Sequence, residues 1–220
     1  DGDYVLSLVV NDGTVNSAAD SVTITAATIG TVTSATGRVW LDRNLGASQV
    51  ATAFNDSAAY GDLYQWGRGT DGHEKRDSST TTMLSSSDTP GHNNFILLPA
   101  SSFPFDWRNP QNDNLWQGEA GINNPCPSGF RLPTIAEWEA ERVTWSPKTL
   151  AGAFASPLKL VSAGSRYYQD GSISFLDGGY YWSSSVDVTA APYLFIGNSS
   201  SSTIVTYVRA EGFSVRCIQD

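Results

Sequence analysis

Asn124-Pro-Cys-Pro-Ser-Gly-Phe-Arg-Leu-Pro-Thr-Ile-Ala-Glu-Trp-Glu139 is the stretch on which the fold turns. Thr134 followed by Glu137 forms a capping box: the threonine oxygen accepts the amide proton at the third helical position, and the glutamate reaches back to the cap's own N–H. A helix is therefore expected from Ile135. Pro133 stops the strand that precedes it, and acidic residues near the helix start suit the positive end of the helix dipole. Pro147 limits how far the helix can run. Trp138 and Glu139 share this helix, which reads as scaffold rather than site.

Towards the C-terminus, Gly179-Tyr-Tyr-Trp-Ser-Ser-Ser-Val186 and Arg209-Ala-Glu-Gly-Phe-Ser-Val-Arg-Cys217 read as framework. Trp182 and the alternating Phe213, Val215 and Cys217 have the period of half-buried strands. Between them, residues 187–208 set Tyr193, Phe195, Ile204 and Tyr207 among Ser, Thr, Gly, Asn and Asp. Aromatic anchors among small, adaptable polar residues are the composition of a binding surface. Leu194 and Ile196 share one face of an expected strand from Ala191 to Gly197. That face is assigned to the core, leaving Pro192, Tyr193, Phe195 and Gly197 near or on the outer surface; the alternative puts Phe195 in the core and Ile196 outside. Asn198–Ser202 is expected to be a loop. In the returning strand Val205 is expected to point inward, with Thr206, Tyr207 and Val208 towards ligand. Arg209 reads as framework and Glu211-Gly212 as a turn.

Upstream, Gly37–Leu45 is a strand candidate, Asp56–Tyr60 a short helix capped by Asp56 or Ser57, and Tyr60–Gly67 an aromatic core segment. Residues 68–94 form a long Ser/Thr/Gly/Asp-rich tract, a length that marks functional or mobile loops. His73, Glu74, Asp77 and His92 lie in it and could hold a metal; a solvated loop accounts for them more simply, and no metal site is expected. Phe95–Leu98 is a short apolar run. Phe103, Phe105, Trp107 and Trp116 read as an aromatic-pinned loop, as core or as a sugar-stacking platform. Residues 150–179 read as short strands, Leu158–Val161 and Ser165–Tyr168 among them, joined by glycine turns.

At the N-terminus, Tyr4, Leu6, Leu8 and Val10 alternate, Asn11-Asp-Gly13 turns, and Val22, Ile24 and Ala26 continue, which is a β-hairpin pattern. Residues 1–28 resemble the last two strands of a bacterial Ig-like or PKD-like repeat, residues 29–36 read as a linker, and residues 37–220 as the main domain. An isolated hairpin is marginal, so it must pack on that domain or end a preceding one. The chain begins at Asp1 without an initiator Met or a signal peptide and is expected to be a mature or excised piece.

Hydrophobic residues make up 40% of the 220, so the chain is globular. Its net charge of −9 argues against nucleic acid as a partner, and no apolar run approaches the ~20 residues of a membrane span. The two cysteines, Cys126 and Cys217, are either separate buried thiols or a pair. Their positions beside expected strands in a chain that otherwise avoids Cys favour pairing, which implies an oxidising compartment. With only two His besides, no zinc spacing is present.

Arg131-Leu-Pro-Thr-Ile-Ala-Glu-Trp-Glu139 resembles the signature of the formylglycine-generating-enzyme-like branch of the C-type lectin fold. The fuller pattern is similar to the Fibrobacter-type major paralogous domain. It comprises Gly37-Arg-Val-Trp-Leu-Asp-Arg-Asn-Leu-Gly46, Tyr60-Gly-Asp-Leu-Tyr-Gln-Trp66, Asn124–Thr134, Tyr181-Trp-Ser-Ser184 and Arg209–Cys217. The resemblance runs from about Gly37 to the end. It implies an α+β, C-type lectin-like fold with Cys126 bridged to Cys217. The enzyme's activity does not carry over, because its reactive cysteine pair and its Arg-Gly-Gly-Ser-Trp segment are absent. The calcium-dependent sugar-binding branch fails for want of its Glu-Pro-Asn-like and Trp-Asn-Asp triplets.

The C-terminal tract also resembles the variable regions of diversity-generating retroelements. Those elements mutate template adenines, and the codons they diversify never become Lys, Glu, Gln, Met or Trp. The twenty-two residues from Asp187 to Val208 include none of the five. The candidate variable, ligand-binding residues are Asp187, Val188, Ala190, Pro192, Tyr193, Phe195, Gly197, Ile204, Thr206, Tyr207 and Val208. The expected function is a non-enzymatic receptor-binding domain on a cell surface or virion. It needs no cofactor, and its partner is a cell-surface protein or glycan, for instance on a bacterial host. The rivals are a structural surface domain without diversification and, last, an enzyme. For the enzyme the sequence offers no nucleophile–base constellation, only Glu137, Glu139 and Glu141, which helix-surface charge explains.

Overall fold

The computed structural model describes residues 3–25, 30–99 and 103–220. The chain divides into two units, Asp1–Gly30 and Thr31–Asp220. In the first, β1 (Asp3–Leu8) pairs antiparallel with β2 (Asp20–Thr25), with Leu6 opposite Val22. The Asp12 carboxylate accepts the N–H groups of Thr14 and Val15, and Gly13 takes φ +97°, which closes the turn read at Asn11–Gly13. Val5, Leu6, Leu8 and Val22 are exposed. Ala26 and residue 29 of the expected linker lie outside the described residues. Within the rest of that expected linker, Thr31–Thr33 forms a strand in the second unit.

The second unit runs β3 (Thr31–Thr33), β4 (Val39–Leu41), a 3-10 turn at Ser57–Ala59, β5 (Tyr64–Gln65), β6 (Thr80–Thr81), β7 (Phe95–Ile96) and β8 (Phe130–Arg131). Then come α1 (Ile135–Val143), α2 (Leu150–Ala155), β9 (Ser165–Arg166), β10 (Ile173–Ser174), β11 (Gly178–Trp182), β12 (Ala191–Gly197), β13 (Thr203–Tyr207), β14 (Gly212–Phe213) and β15 (Ile218–Gln219). The strands of this unit form two four-stranded sheets, in the orders β10-β9-β14-β5 and β3-β4-β15-β8, and a three-stranded sheet in the order β11-β12-β13, and β6 pairs parallel with β7.

Among the described residues α-helix is confined to the nine residues of α1 and the six of α2, so this is a small β-rich fold. The expected α+β, C-type lectin-like class is corrected. The capping box forms as read, with Glu137 N–H donating to Thr134 and the Glu137 carboxylate accepting at the cap, but nothing sustains the helix past Val143. α2, in turn, lies where short strands were expected, and Leu158–Val161 is no strand.

Irregular backbone needs partners for its carbonyls, and the indoles supply them. Trp66 donates to Ser183 O, Trp107 to Trp66 O, Trp116 to Arg68 O, Trp138 to Trp182 O and Trp182 to Tyr64 O. Trp107 and Trp116 are therefore core, and the sugar-stacking alternative fails for them. Arg216, fully buried, donates to Asn44 Oδ1 and to the carbonyls of Leu41 and Leu158. Burial lowers its pKa to about 10. Cys126 and Cys217 form a disulfide. With a sequence separation of 91, the bridge stabilises by roughly 4–5 kcal/mol in the chain-entropy model.

Candidate ligand-binding surface

α1 sets the sheet that carries the tract. Trp138 Nε1 donates to Trp182 O at 3.0 Å, and Ser185 Oγ accepts the Ile135 N–H at 3.0 Å. β11 is thereby pinned, and β12 and β13 extend outward from it as a hairpin, with β13 at the edge. Tyr181, Leu194 and Ile196 pack in one core cluster with Trp138 and Trp40, and Ile204 leans on it. The assignment of Leu194 and Ile196 to a core face agrees with this.

The opposite face is not the free surface that was expected. It carries Tyr180, Trp182, Tyr193, Phe195 and Val205, all packed in or against the second cluster, which includes Phe213. Tyr193 is only 7% exposed and Phe195 is half-buried. The reason is tertiary: β14 runs beside β11, with Trp182 N–H donating to Ser214 O and Ser214 N–H to Tyr180 O, which lays Phe213 across the sheet. Its ring lies 4.4 Å from Trp182, 4.6 Å from Tyr193 and 5.2 Å from Tyr180.

The candidate residues therefore fall into three places. Asp187, Val188 and Ala190 form a turn in which Asp187 and Ala190 exchange backbone hydrogen bonds. Val188 stands at its tip, 82% exposed with φ 49°. Beneath it the buried Arg209 guanidinium stacks 4.5 Å over Trp66, pairs with Asp113 at 2.6 Å and donates to the carbonyls of Val188 and Ala190. Pro192, Ile204 and Thr206 lie on the α1 side, where Ile204 lines a groove with Ile135 and Arg142. Tyr193 and Tyr207 lie on the other side. Thr206 and Tyr207 cannot both face one ligand, since neighbours in a strand point to opposite faces, and Val205 shares a side with Tyr207 rather than with Leu194. Val208 is half-buried. Gly197 cannot vary freely: a Cβ there would meet Ser200 Oγ at 2.0 Å and Ser200 O at 2.9 Å.

What the fold assembles from this surface is an aromatic pocket of about 210 Å³, lined by Tyr180, Tyr193, Tyr207 and Phe213, with Phe175, Ser165 and Glu211. Tyr207 is 38% exposed and forms part of the rim. Glu211, 2% exposed, accepts the Tyr168 N–H at 3.0 Å and a bond from the Ser165 hydroxyl. Burial pushes its carboxyl up to about 7 against those two donors, and Asp170 adds to the push. Tyr180 and Tyr207 are pushed up to about 12, chiefly by burial and then by charges that include Glu211. Sequence reading assigned Tyr180 and Phe213 to the framework and Glu211 to a turn. The signal lay in the alternation Glu211, Phe213, Val215, which puts a carboxylate in line with a buried face.

Residues 68–94 are solvated only in part: Arg68, His73, Glu74 and Ser85 are buried, while the other residues from Lys75 to Asn94 are exposed or half-buried. Asp71, His73 and Glu74 bring ligand atoms within 4.8 Å of one another. Hydrogen bonds already use them. His73 Nε2 accepts the Gln65 N–H at 3.1 Å, so the proton sits on Nδ1 and goes to Asp71 at 2.6 Å. Arg68 pairs with the other Asp71 oxygen at 2.7 Å, and Glu74 accepts the Gly72 N–H. Burial lowers the His73 pKa to about 4. For Asp71, burial is outweighed by the His73 bond and the Arg68 charge, which hold it at about 2. Asp77 and His92 do not join the cluster. Glu141, read as a surface charge, is buried and accepts from Ser34 and Thr36. Comparison with known families, curated proteins and solved structures finds no match.

Proposed function

We propose that the chain is a non-catalytic ligand-binding domain of the Fibrobacter-type major paralogous class, borne on a phage or bacterial surface protein. Its tract Asp187–Val208 is diversified by a retroelement and meets a cell-surface protein or glycan. One observation carries the reading: exposed positions and immovable ones are interleaved in a single hairpin. Val188 is 82% and Tyr207 38% exposed, while Leu194, Ile196 and the Arg209 that holds the turn are buried. Such a hairpin tolerates change at its rim while its anchors keep their place, and large aromatic side chains on a rigid frame give contact area at low entropic cost.

Deep sequencing of the coding region in its source population tests this. Substitutions concentrated at Asp187, Val188, Thr206 and Tyr207, with Leu194, Ile196 and Arg209 constant and a reverse transcriptase gene nearby, are expected. Variation spread evenly along the chain, or none, removes diversification and leaves a structural surface domain.

A further inference from the structure

The pocket beside β13 has an acid in an aromatic setting and nothing to neutralise it. Among the described residues Glu211 makes no ion pair, and the charged group acting on it, Asp170, is another acid. Its bonds come from neutral donors, the Tyr168 N–H and the Ser165 hydroxyl. Three tyrosines and Phe213 surround the same space, with Tyr193 and Tyr207 6.4 Å apart and Tyr180 and Tyr193 6.1 Å apart between ring centroids. Ring faces attract cations through their quadrupoles, most strongly where water is excluded.

We propose that this pocket binds a quaternary ammonium group, with Glu211 as its counter-ion and the faces of Tyr180, Tyr193, Tyr207 and Phe213 as its cage. The inference rests on reading the C-terminal hairpin as a binding surface and names the ligand class for it. Size and polarity both select the group. The pocket's volume, about 210 Å³, holds on the order of seven waters at ~30 Å³ each. That suits a head group or the end of a side chain rather than a drug-sized ligand, whose pockets begin near ~300 Å³. A primary ammonium brings three N–H donors, for which the lining offers the Glu211 carboxylate, partly used by its neighbours, and the hydroxyls of Ser165 and the tyrosines, each tied to the edge of the space rather than to the ring faces. A methylated ammonium has no donors to satisfy and presents apolar surface to the rings. Glu211, Phe213 and Tyr180 belong to the framework, while Tyr193 and Tyr207 belong to the tract. Diversification would then re-tune the rim around a constant charged floor.

The test is titration of the whole chain at pH 8 with choline and with its neutral carbon isostere 3,3-dimethylbutan-1-ol, followed by calorimetry or NMR. Choline is expected to bind about 10-fold more tightly than the isostere. Its affinity is expected to fall below pH 7, because Glu211 must give up its proton to pair. Glu211→Gln keeps an oxygen for the Tyr168 N–H and removes the charge; it is expected to lose the choline preference. Tyr207→Ala, at the rim, weakens both ligands and serves if the first variant does not fold. Nε-trimethyl-lysine titrated in parallel separates a choline head group from a modified side chain, and tighter binding of either supports the pocket. Equal affinity for choline and the isostere, or no saturation by any of the three up to about 100 mM, overturns it. Population sequencing is independent. A varying tract without ammonium preference sinks this inference alone, and ammonium binding with an invariant tract sinks diversification alone.

Discussion

Three buried titratable residues shape stability against pH, one in the opposite direction to the other two. His73 is held neutral with its pKa lowered to about 4. Its contribution is complete above the unfolded value near 6.5 and is lost as pH falls from there towards 4. Glu211 has its pKa raised to about 7. It folds protonated, so stability falls as pH rises from the unfolded value near 4.5 towards 7. Asp106, raised to about 6 by burial, acts in the same sense as Glu211. The wild-type profile is therefore flattened by cancellation, and single variants reveal the parts. Glu211→Gln is expected to gain about 2–3 kcal/mol over wild type at pH 8 and little at pH 4, as read by urea unfolding at both. His73→Gln is expected to be destabilising at pH 7, with the difference from wild type shrinking towards pH 4.

At the level of elements, the hairpin β12–β13 is anchored at its base and open at its edge. Leu194→Ala removes a side chain buried against Trp138 and Tyr181 and is expected to cost about 2–5 kcal/mol. Val188→Ala and Thr206→Ala, at exposed positions, are expected to stay within about 0.5 kcal/mol. Chemical denaturation of the three variants checks the contrast. α1 acts as a buttress whose chief bond runs from Trp138 to the Trp182 carbonyl. Trp138→Phe leaves that bond unmade and a gap beside Trp40, with an expected loss of about 2–4 kcal/mol. Thr134→Ala, which removes only the cap, is expected to cost about 1 kcal/mol.

For the whole molecule, the Cys126–Cys217 bridge ties β15's approach to the loop before β8, and short ladders of two or three residues could not do so alone. Reduction is expected to lower Tm by roughly 10 °C or more, given the loop it closes and the size of the chain; calorimetry with and without reductant measures it. The helix at Ile135, the hairpin around Asn11–Gly13 and the burial of Leu194 and Ile196 were all legible, because capping, turn chemistry and alternation are local. The β-rich class was not: it follows from how α1 stops at Val143 and from indole and guanidinium donors that replace long ladders. By itself the sequence determined the helix start at Ile135, the turn at Asn11–Gly13 and the strand at Ala191–Gly197, and that residues 187–208 mix aromatic anchors with small polar residues. Only the tertiary structure decided that Tyr193 is covered, that Thr206 and Tyr207 serve opposite faces, and that Glu211 joins three tyrosines. Those outcomes depend on β14 crossing beside β11 and laying Phe213 over the sheet, a contact between distant segments that no local pattern encodes.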